Sequence, residues 1–235
     1  MIELRDYQQK AVNDLREAYR QGFKAPFLTA PTGAGKTVIL SEICSNANAR
    51  GTNTVLLVHR QELVVQTAKT FARFGIPHSI VAPAKVVQNA IKIQLEEFNK
   101  SWFRDESHIY IATVQTLIRR MADLPKFELI LIDEAHHGVA GTWLKIVKSY
   151  PGARILGVSA TPERLDGQGL GVHCGGIFDK LVLGPSVKSL IERGFLTRPR
   201  VYCPPIEADF SDLKTIAGDF DRKQQQEKLH KPRII

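Results

Sequence analysis

The sequence has few of the residues that build disulfide frameworks or metal clusters, and it has no long apolar run. Its 235 residues include only 3 cysteines, and the wide separation of Cys44, Cys174 and Cys203 excludes a paired zinc motif and a disulfide framework. No apolar stretch reaches the roughly 18 residues that cross a membrane. Charged residues interrupt the first ten positions, which lack the apolar core of a signal peptide. We therefore expect a cytoplasmic protein with no membrane association.

Acidic residues are also in deficit. The chain has 32 Lys and Arg against 24 Asp and Glu, for a formal net charge of +8. A cationic surface attracts an acidic polymer such as DNA or RNA, although it also serves solubility. Hydrophobic residues make up 43% of the chain, which is enough for an independent core. The composition therefore predicts one large domain and is compatible with nucleic-acid binding.

What the chain does contain is an alternation of short apolar runs with longer segments of helical period. The predicted strands are 27–30, 55–58, 79–82, 109–113, 129–133 and 155–159. The helix candidates between them are 36–49, 61–74, 85–99, 115–122 and 142–149. Buried strands joined by helices of crossover length indicate an α/β fold with a parallel β-sheet sandwiched by helices.

The composition changes after Pro162. A glycine-rich stretch at 166–176 precedes a predicted strand at 178–183 and a predicted helix at 186–193. A last apolar run, 200–202, ends at two consecutive prolines, which would terminate strand pairing. Residues 206–235 are mostly polar, with little apolar face for a helix. We predict one α/β domain over 1–205 and a polar linker over 206–235.

Residues 30–37 read Ala-Pro-Thr-Gly-Ala-Gly-Lys-Thr, between the first predicted strand and a predicted helix. This is the context of a phosphate-binding loop (P-loop), although Ala30 stands where the usual pattern begins with glycine. The glycines open backbone conformations closed to other residues, and the N–H groups that begin the helix attract anions. Lys36 adds a full charge, and the Thr37 hydroxyl can ligate Mg²⁺. The predicted ATP-binding residues here are Thr32, Gly33, Ala34, Gly35, Lys36 and Thr37.

Two carboxylates, Asp133 and Glu134, end a buried predicted strand, where ligands of open α/β sheets bind. We expect Asp133 to hold Mg²⁺ opposite Thr37, and Glu134 to orient or deprotonate the attacking water. The adjacent histidines that follow have no third ligand at a zinc spacing, so we expect His136 to form hydrogen bonds. The predicted catalytic residues are Lys36, Asp133 and Glu134.

The P-loop and the Asp-Glu-Ala-His run at 133–136 together resemble the first RecA-like domain of superfamily 2 helicases and translocases, in the branch that carries the DEAH box. The resemblance implies a P-loop NTPase with ATP and Mg²⁺ as cofactors. Residues 4–8 resemble the adenine-recognising segment of that family, which implies that Arg5 and Gln8 lie at the base. Gln8 has the donor and the acceptor that an adenine edge requires.

Other segments match the same family in its order. Residues 159–161, Ser-Ala-Thr, resemble the segment that couples hydrolysis to motion, and we expect His136, Ser159 and Thr161 to act in this coupling. Residues 161–167 and 169–170 resemble a stretch found in repair- and transcription-associated helicases and in their phage and bacterial homologues.

Two segments resemble the nucleic-acid-contacting positions of the family, at 58–63 and 113–116. Arg60 can pair with a phosphate, and polar side chains can bond to backbone oxygens without reading sequence. The partner implied is single- or double-stranded nucleic acid, with DNA favoured over RNA. The predicted contacts are Arg60, Thr113, Gln115 and Thr116.

The resemblance also implies a second RecA-like domain of the same chain, which supplies arginines to the transition state, and nothing after Ser211 provides one. We therefore expect a helicase active site that is incomplete in this chain alone, with low hydrolase activity. Two alternatives stay open: a nucleotide-switched nucleic-acid-binding module, and the motor portion of a restriction enzyme. Glu134 favours hydrolysis over switching, because a switch needs no water-activating carboxylate.

Overall fold

The computed structural model describes residues 2–137, 141–162 and 169–200, together with the backbone of 215–216 and 219–220. Within these residues the main sheet consists of seven parallel strands: β1 (Pro26–Thr29), β2 (Thr54–Val58), β3 (Ser79–Val81), β4 (Ile109–Thr113), β5 (Leu129–Asp133), β6 (Arg154–Ser159) and β7 (Lys180–Leu183). Their order across the sheet is β3-β4-β2-β5-β6-β1-β7. The predicted parallel α/β fold is confirmed.

Helices connect these strands as the alternation predicts. The α-helices of the described residues are α1 (Asp6–Arg20), α2 (Lys36–Ala49), α3 (Gln61–Arg73), α4 (Ala84–Phe98), α5 (Val114–Arg120), α6 (Gly141–Ser149) and α7 (Val187–Glu192). The predicted crossover helices match α2 to α6 in order, with ends that differ by one or two residues. Residues Met121–Asp123 continue α5 as a 3-10 turn.

Helix α1 is the element that the alternation misses, because it precedes the first strand instead of connecting two strands. Its signal is the helical spacing of the apolar residues that it buries: Tyr7, Ala11, Val12, Leu15 and Ala18. Most of those residues pack α1 against the sheet beside α2. Gln8 is buried with them, which places the predicted adenine-recognising segment at the start of this helix.

The core lies on both faces of the sheet, because neighbouring residues of each strand point in opposite directions. In β2, Leu56 and Val58 join the cluster that includes apolar residues of α1 to α4, whereas Val55 and Leu57 join the cluster under α5 and α6. All residues of β2 and β4 are buried. Such two-sided burial is why these strands read as continuous apolar runs.

The carboxyl ends of the strands meet along one edge of the sheet. Thr29 of β1 pairs with Ser159 of β6, and Asp133 of β5 pairs with Val158 of β6. Val58 of β2 pairs with Thr113 of β4 in the same direction. The P-loop after β1 and the acidic pair at the end of β5 are therefore separated by one strand only, β6.

The predicted linker at 206–235 lies outside the described residues, except for two short strands. These are β8 (Thr215–Ile216) and β9 (Asp219–Phe220), which pair antiparallel. Most of the predicted apolar run at 200–202, residues 163–167 of a family-like stretch, and Cys203 also lie outside the description. Among the helices described, none has the length and apolar character needed to span a membrane.

Candidate functional site

The P-loop connects β1 to α2 through two glycines in the left-handed region of backbone space. Gly33 has φ 82° and Gly35 has φ 79°, and Gly35 is the residue that caps α2. A Cβ atom on Gly35 would collide with the amide nitrogen of Gln8. Both glycines therefore hold conformations that an L side chain rarely adopts. The N–H of Ala30 donates to the carbonyl of Ser159 at 2.9 Å, which fixes the start of the loop on β6.

Lys36 links the loop to the acidic pair. Its side chain is 10% exposed, and Nζ lies 3.8 Å from Oε1 of Glu134. The same ammonium donates to the carbonyl of Ala30 at 3.4 Å. The structure thus brings together Lys36 and Glu134, two residues that are far apart in the sequence and were both predicted to be catalytic.

Glu134 itself holds an unusual backbone conformation. Its φ is 49°, one of two positive values among the described non-glycine residues. Its N–H donates to Oδ1 of Asp133 at 3.0 Å. A left-handed residue with a Cβ costs roughly 1–2 kcal/mol, and such residues cluster at functional sites. The turn directs Glu134 toward Lys36 immediately after the buried strand ends.

Asp133 has a perturbed carboxyl group. Burial raises its pKa to about 6, with the negative charge of Glu134 contributing to the rise, and the Glu134 N–H and Lys36 oppose the shift. A divalent cation beside the carboxyl would favour the ionised form again. Asp133 and the half-buried Thr37 both offer the hard oxygen donors that Mg²⁺ prefers.

The acidic pair continues into a hydrogen-bonded chain that reaches the end of β6. Nδ1 of His136 lies 2.7 Å from Oγ of Ser159 and 3.4 Å from Oε2 of Glu134. Ser159 is fully buried, and its hydroxyl lies 3.4 Å from the same Oε2 of Glu134. The N–H of Thr161 donates to that hydroxyl at 3.3 Å. His136 thus forms a hydrogen bond, and it connects through Ser159 to Thr161, while the coupling role of these three residues stays a prediction.

Gln8 is placed beside the loop. The side chain is 4% exposed; its oxygen accepts from the N–H of Arg5 at 2.9 Å, and its nitrogen donates to the carbonyl of Ala34 at 3.1 Å. Gln8 thereby braces the start of α1 against the P-loop. Arg5 is exposed, and Nη1 donates to the hydroxyl of Tyr7 at 3.1 Å. The base-reading roles of Gln8 and Arg5 stay predictions.

The four residues expected to contact nucleic acid lie after two neighbouring strands, β2 and β4, but they differ in exposure. Arg60 and Gln115 are exposed, and Thr116 is half-buried. Thr113 is only 3% exposed, and its hydroxyl donates to that of Thr116 at 2.9 Å. The Thr113 side chain is turned away from solvent because it ends a strand that is buried on both faces. Its contact with nucleic acid stays a prediction.

His59, which precedes Arg60, is not among the residues that the sequence predicted for the site. Burial and the charge of Arg60 lower its pKa, while Glu134 opposes this shift. The residue therefore lies within electrostatic reach of the acidic pair, next to a predicted nucleic-acid contact. Its signal in the sequence is its place directly after a buried strand, as with Asp133 and Glu134.

A cleft of about 640 Å³ lies elsewhere, between the ends of α1 and α2 and the amino ends of β5 and β6. It faces the edge of the sheet opposite the P-loop. Its charged lining residues are Arg16, Arg20, Arg50, Glu128 and Arg154. None of the predicted site residues lines this cleft, so cleft size alone does not locate the site.

The fold and this constellation define a RecA-like P-loop domain. The profile of the family described as "Type III restriction enzyme, res subunit" matches residues 1–164, and the chain belongs to that family. The family match and the fold together support a RecA-like domain of the kind found in superfamily 2 helicases.

Curated relatives agree with the family. The Saccharomyces cerevisiae protein IRC3, named as a putative ATP-dependent helicase, is 32% identical over 232 residues, which cover 92% of this chain and 31% of that protein. The "51.5 kDa protein" of a Lactococcus phage is 29% identical over 204 residues, covering 87% of this chain and 38% of the relative. An Escherichia coli type I restriction enzyme EcoAI endonuclease subunit is 28% identical over 225 residues, covering 92% and 26%. The chain thus spans about a third of the length of these relatives.

Solved structures share the fold at lower identity. The type ISP restriction-modification enzyme LlaGI, solved with a DNA substrate mimic, superposes with a TM-score of 0.58 at 19% identity, over 82% of this chain and 21% of that one. The UvsW helicase of bacteriophage T4 superposes with a TM-score of 0.55 at 18% identity, over 77% and 60%.

Proposed function

We propose that this chain is the ATP-binding domain of a nucleic-acid-dependent ATPase of helicase superfamily 2. In this proposal Mg-ATP hydrolysis is coupled to the unwinding of DNA or to translocation along it. The observation that carries the proposal is the approach of Lys36 to Glu134 at 3.8 Å, which joins a phosphate-binding loop to a water-activating carboxylate. The family and the helicase names among the relatives support it.

Each residue of the site has a distinct role in the proposed reaction. The N–H groups that begin α2 and the Lys36 ammonium bind the phosphates and neutralise their charge. Thr37 and Asp133 would hold Mg²⁺, which would supply positive charge against the phosphates. Glu134 orients the attacking water and accepts its proton. In the present structure Lys36 lies beside Glu134. When a phosphate binds, the Lys36 ammonium would pair with the phosphate, and the Glu134 carboxylate would be available to bind the attacking water.

The hydrogen-bonded chain from Glu134 through His136 and Ser159 to Thr161 suits a coupling role. A change of charge or position at Glu134 on hydrolysis would alter the hydrogen bond between its carboxylate and the Ser159 hydroxyl. That hydroxyl also accepts the N–H of Thr161, so the change would extend past the end of β6. Assignment to the DEAH branch belongs to this proposal and rests on the Asp-Glu-Ala-His run at 133–136. His136 supports it by its 2.7 Å contact with Ser159.

The proposed partner is single- or double-stranded nucleic acid, with DNA favoured. The net charge of +8 and the exposure of Arg60 and Gln115 beside the site support this partner. One relative, 28% identical over 170 residues, is named as a DNA 3'-5' translocase of Sulfurisphaera tokodaii. Contacts from these side chains to the phosphate backbone would give affinity without sequence preference.

A second RecA-like domain completes the proposed enzyme. The chain spans about a third of its curated relatives, which leaves room for such a domain in proteins of this family. That domain would supply the transition-state arginine.

The cytoplasmic location of the protein also stays a prediction. A relative in Schizosaccharomyces pombe, 24% identical over 239 residues, is named as mitochondrial.

A second candidate function is the motor of a restriction enzyme, which translocates on DNA without separating the strands. The family description and the similarity to the EcoAI endonuclease subunit favour it. Both candidates use the same nucleotide chemistry, so they share the test below. Strand separation of a labelled duplex by the complete protein distinguishes them.

Titration of a fluorescent ATP analogue tests the residue roles. Lys36→Ala should abolish binding because it removes the charge that faces the phosphates, whereas Glu134→Gln should preserve binding because it removes only the base. Lys92→Ala, an exposed lysine of α4, is the matched control and should bind as the wild type does. Equal loss in Lys36→Ala and Glu134→Gln would contradict the roles, and full retention by Lys36→Ala would contradict the site.

A further inference from the structure

A turn after α7, formed by Arg193, Gly194, Phe195 and Leu196 and called here the α7 turn, packs on the nucleotide site from a distant part of the chain. Leu190 of α7 is fully buried in a small cluster with Tyr7 and residues of the P-loop. The N–H groups of Phe195 and Leu196 donate to the carbonyl of Leu190 at 2.8 and 3.1 Å, so the turn is tightly closed.

Phe195 contacts the exposed arginine that precedes the chain's first helix. The guanidinium carbon of Arg5 lies 4.7 Å from the centroid of the Phe195 ring. The ring also meets Tyr7 edge-on, with centroids 5.2 Å apart. Arg193 lies over the same ring at 4.9 Å and forms an ion pair with Asp6, whose pKa it lowers. The α7 turn is therefore tied to the segment at 5–7 by charge and by stacking.

The same turn reaches the P-loop. A Cβ atom built on Gly33 would lie 2.7 Å from Cδ2 of Leu196, so the two residues are in close contact. Gly33 is one of the two loop glycines with positive φ. The α7 turn thus contacts the residues expected at the base of a nucleotide and the loop expected at its phosphates.

A base at this end of the site needs a flat partner. Gln8 is buried, and each end of its amide already makes a hydrogen bond within the protein. Arg5, in contrast, is exposed, and its guanidinium carbon lies over the Phe195 ring. A planar guanidinium fixed on an aromatic ring can stack its other face on a nucleobase.

We propose that the α7 turn is a third wall of the nucleotide site, in which Phe195 is a positioning residue that holds the Arg5 guanidinium for stacking on a purine base. The inference rests on the proposed function, because it assumes that the P-loop binds the triphosphate. It adds a contribution from residues 193–196 to the recognition of the base. Leu196 packs against Gly33 and thereby fixes the position of the P-loop relative to the α7 turn.

Calorimetric titration of two ligands, Mg-ATP and magnesium tripolyphosphate, tests this inference, because the second ligand has the phosphates and lacks the base. Phe195→Leu keeps an apolar side chain in the cluster but removes the ring. It should weaken ATP binding about three- to tenfold, less than the loss of a whole base stack, because Arg5 stays present but loses the ring that positions it; tripolyphosphate binding should be unchanged. Phe195→Tyr should restore ATP binding to within about twofold of the wild type.

Further variants separate the possible failures. Val187→Ala, an exposed change on α7, is the control for effects on the helix and should bind both ligands normally. In an Arg5→Ala background, Phe195→Leu should have no further effect on ATP, because its target is gone. An equal loss for both ligands, no loss for either, or additive effects with Arg5→Ala would overturn the inference alone. Normal binding of tripolyphosphate by Lys36→Ala, or none by the wild type, would overturn the proposed function and the inference with it.

Discussion

Replacement of Asp133 by asparagine should stabilise the metal-free protein. The carboxyl group is partly buried at the end of β5, and its pKa is raised from 3.8 to about 6. The folded state therefore binds a proton more tightly than the unfolded state does. Stability from this group is present below pH 4, is lost as the pH rises from about 4 to 6, and stays lost above pH 6. At pH 7.5 the folded wild type holds an unfavourable buried charge, which the neutral amide of the Asp133→Asn variant would not carry.

The magnitude follows from the shift. One pKa unit corresponds to about 1.36 kcal/mol, so a shift of about two units sets an upper limit near 3 kcal/mol. Asparagine keeps an oxygen that can accept the Glu134 N–H, so no hydrogen bond needs to be lost. We expect the free energy of unfolding at pH 7.5 to rise by about 1–3 kcal/mol, which corresponds to a melting temperature higher by roughly 2–12 °C in a chain of this size.

Thermal and urea unfolding of both proteins in EDTA, from pH 5 to pH 8, measures this effect. The difference between variant and wild type should grow between pH 5 and 6.5 and then stay constant. Mg²⁺ with nucleotide should stabilise the wild type more than the variant, since the lost carboxylate is the expected metal ligand. A variant that is less stable than the wild type at pH 7.5 in EDTA, or a difference independent of pH, would refute this account of the site.

Two further predictions concern the surface and the loop. Single-stranded DNA should bind weakly and without sequence preference, and its affinity should fall steeply with salt. Arg60→Ala should reduce the slope of log affinity against log salt concentration by about one. Fluorescence anisotropy of a labelled oligonucleotide measures both effects. A flat salt dependence or strong sequence selectivity would contradict this. Gly35→Ala should destabilise the fold by at least about 1 kcal/mol and weaken ATP binding, because Gly35 has a positive φ and lies against the Gln8 amide. Gly152→Ala is the control; it has open space around it and should change neither stability nor binding. Melting curves that coincide for the two variants would argue against a strained loop.

The strands and crossover helices were predictable because their signals are local. The run that includes Ile130 and Ile132 is apolar because that strand is buried on both faces, and the P-loop glycines mark backbone conformations that other residues avoid. The order of the strands was not predictable in this way, since periodicity says which residues are buried and not which strands are neighbours. The approach of Lys36 to Glu134 depends on that order.

The features that the sequence did not reveal either depend on contacts between distant parts of the chain or differ from what the residue type would lead one to expect. Thr113 is polar, yet its position at the end of a strand buried on both faces turns its side chain inward. Arg193 pairs with Asp6 across almost the whole chain, a contact set by where α7 packs and by nothing local to either residue. The positive φ of Glu134 likewise has no signal in a residue with a Cβ. The roles of these residues in binding and catalysis stay predictions.

The most direct test of the central claim is steady-state phosphate release, measured with and without single-stranded DNA. The 235-residue chain is compared with a form extended through a second RecA-like domain. The account predicts that the chain alone binds Mg-ATP but releases phosphate very slowly, with little stimulation by DNA. The extended form should be faster by roughly 10³–10⁵, the contribution of a transition-state arginine in related sites, and DNA should stimulate it. Equal turnover by the two forms would contradict the proposal that a second RecA-like domain contributes to the active site.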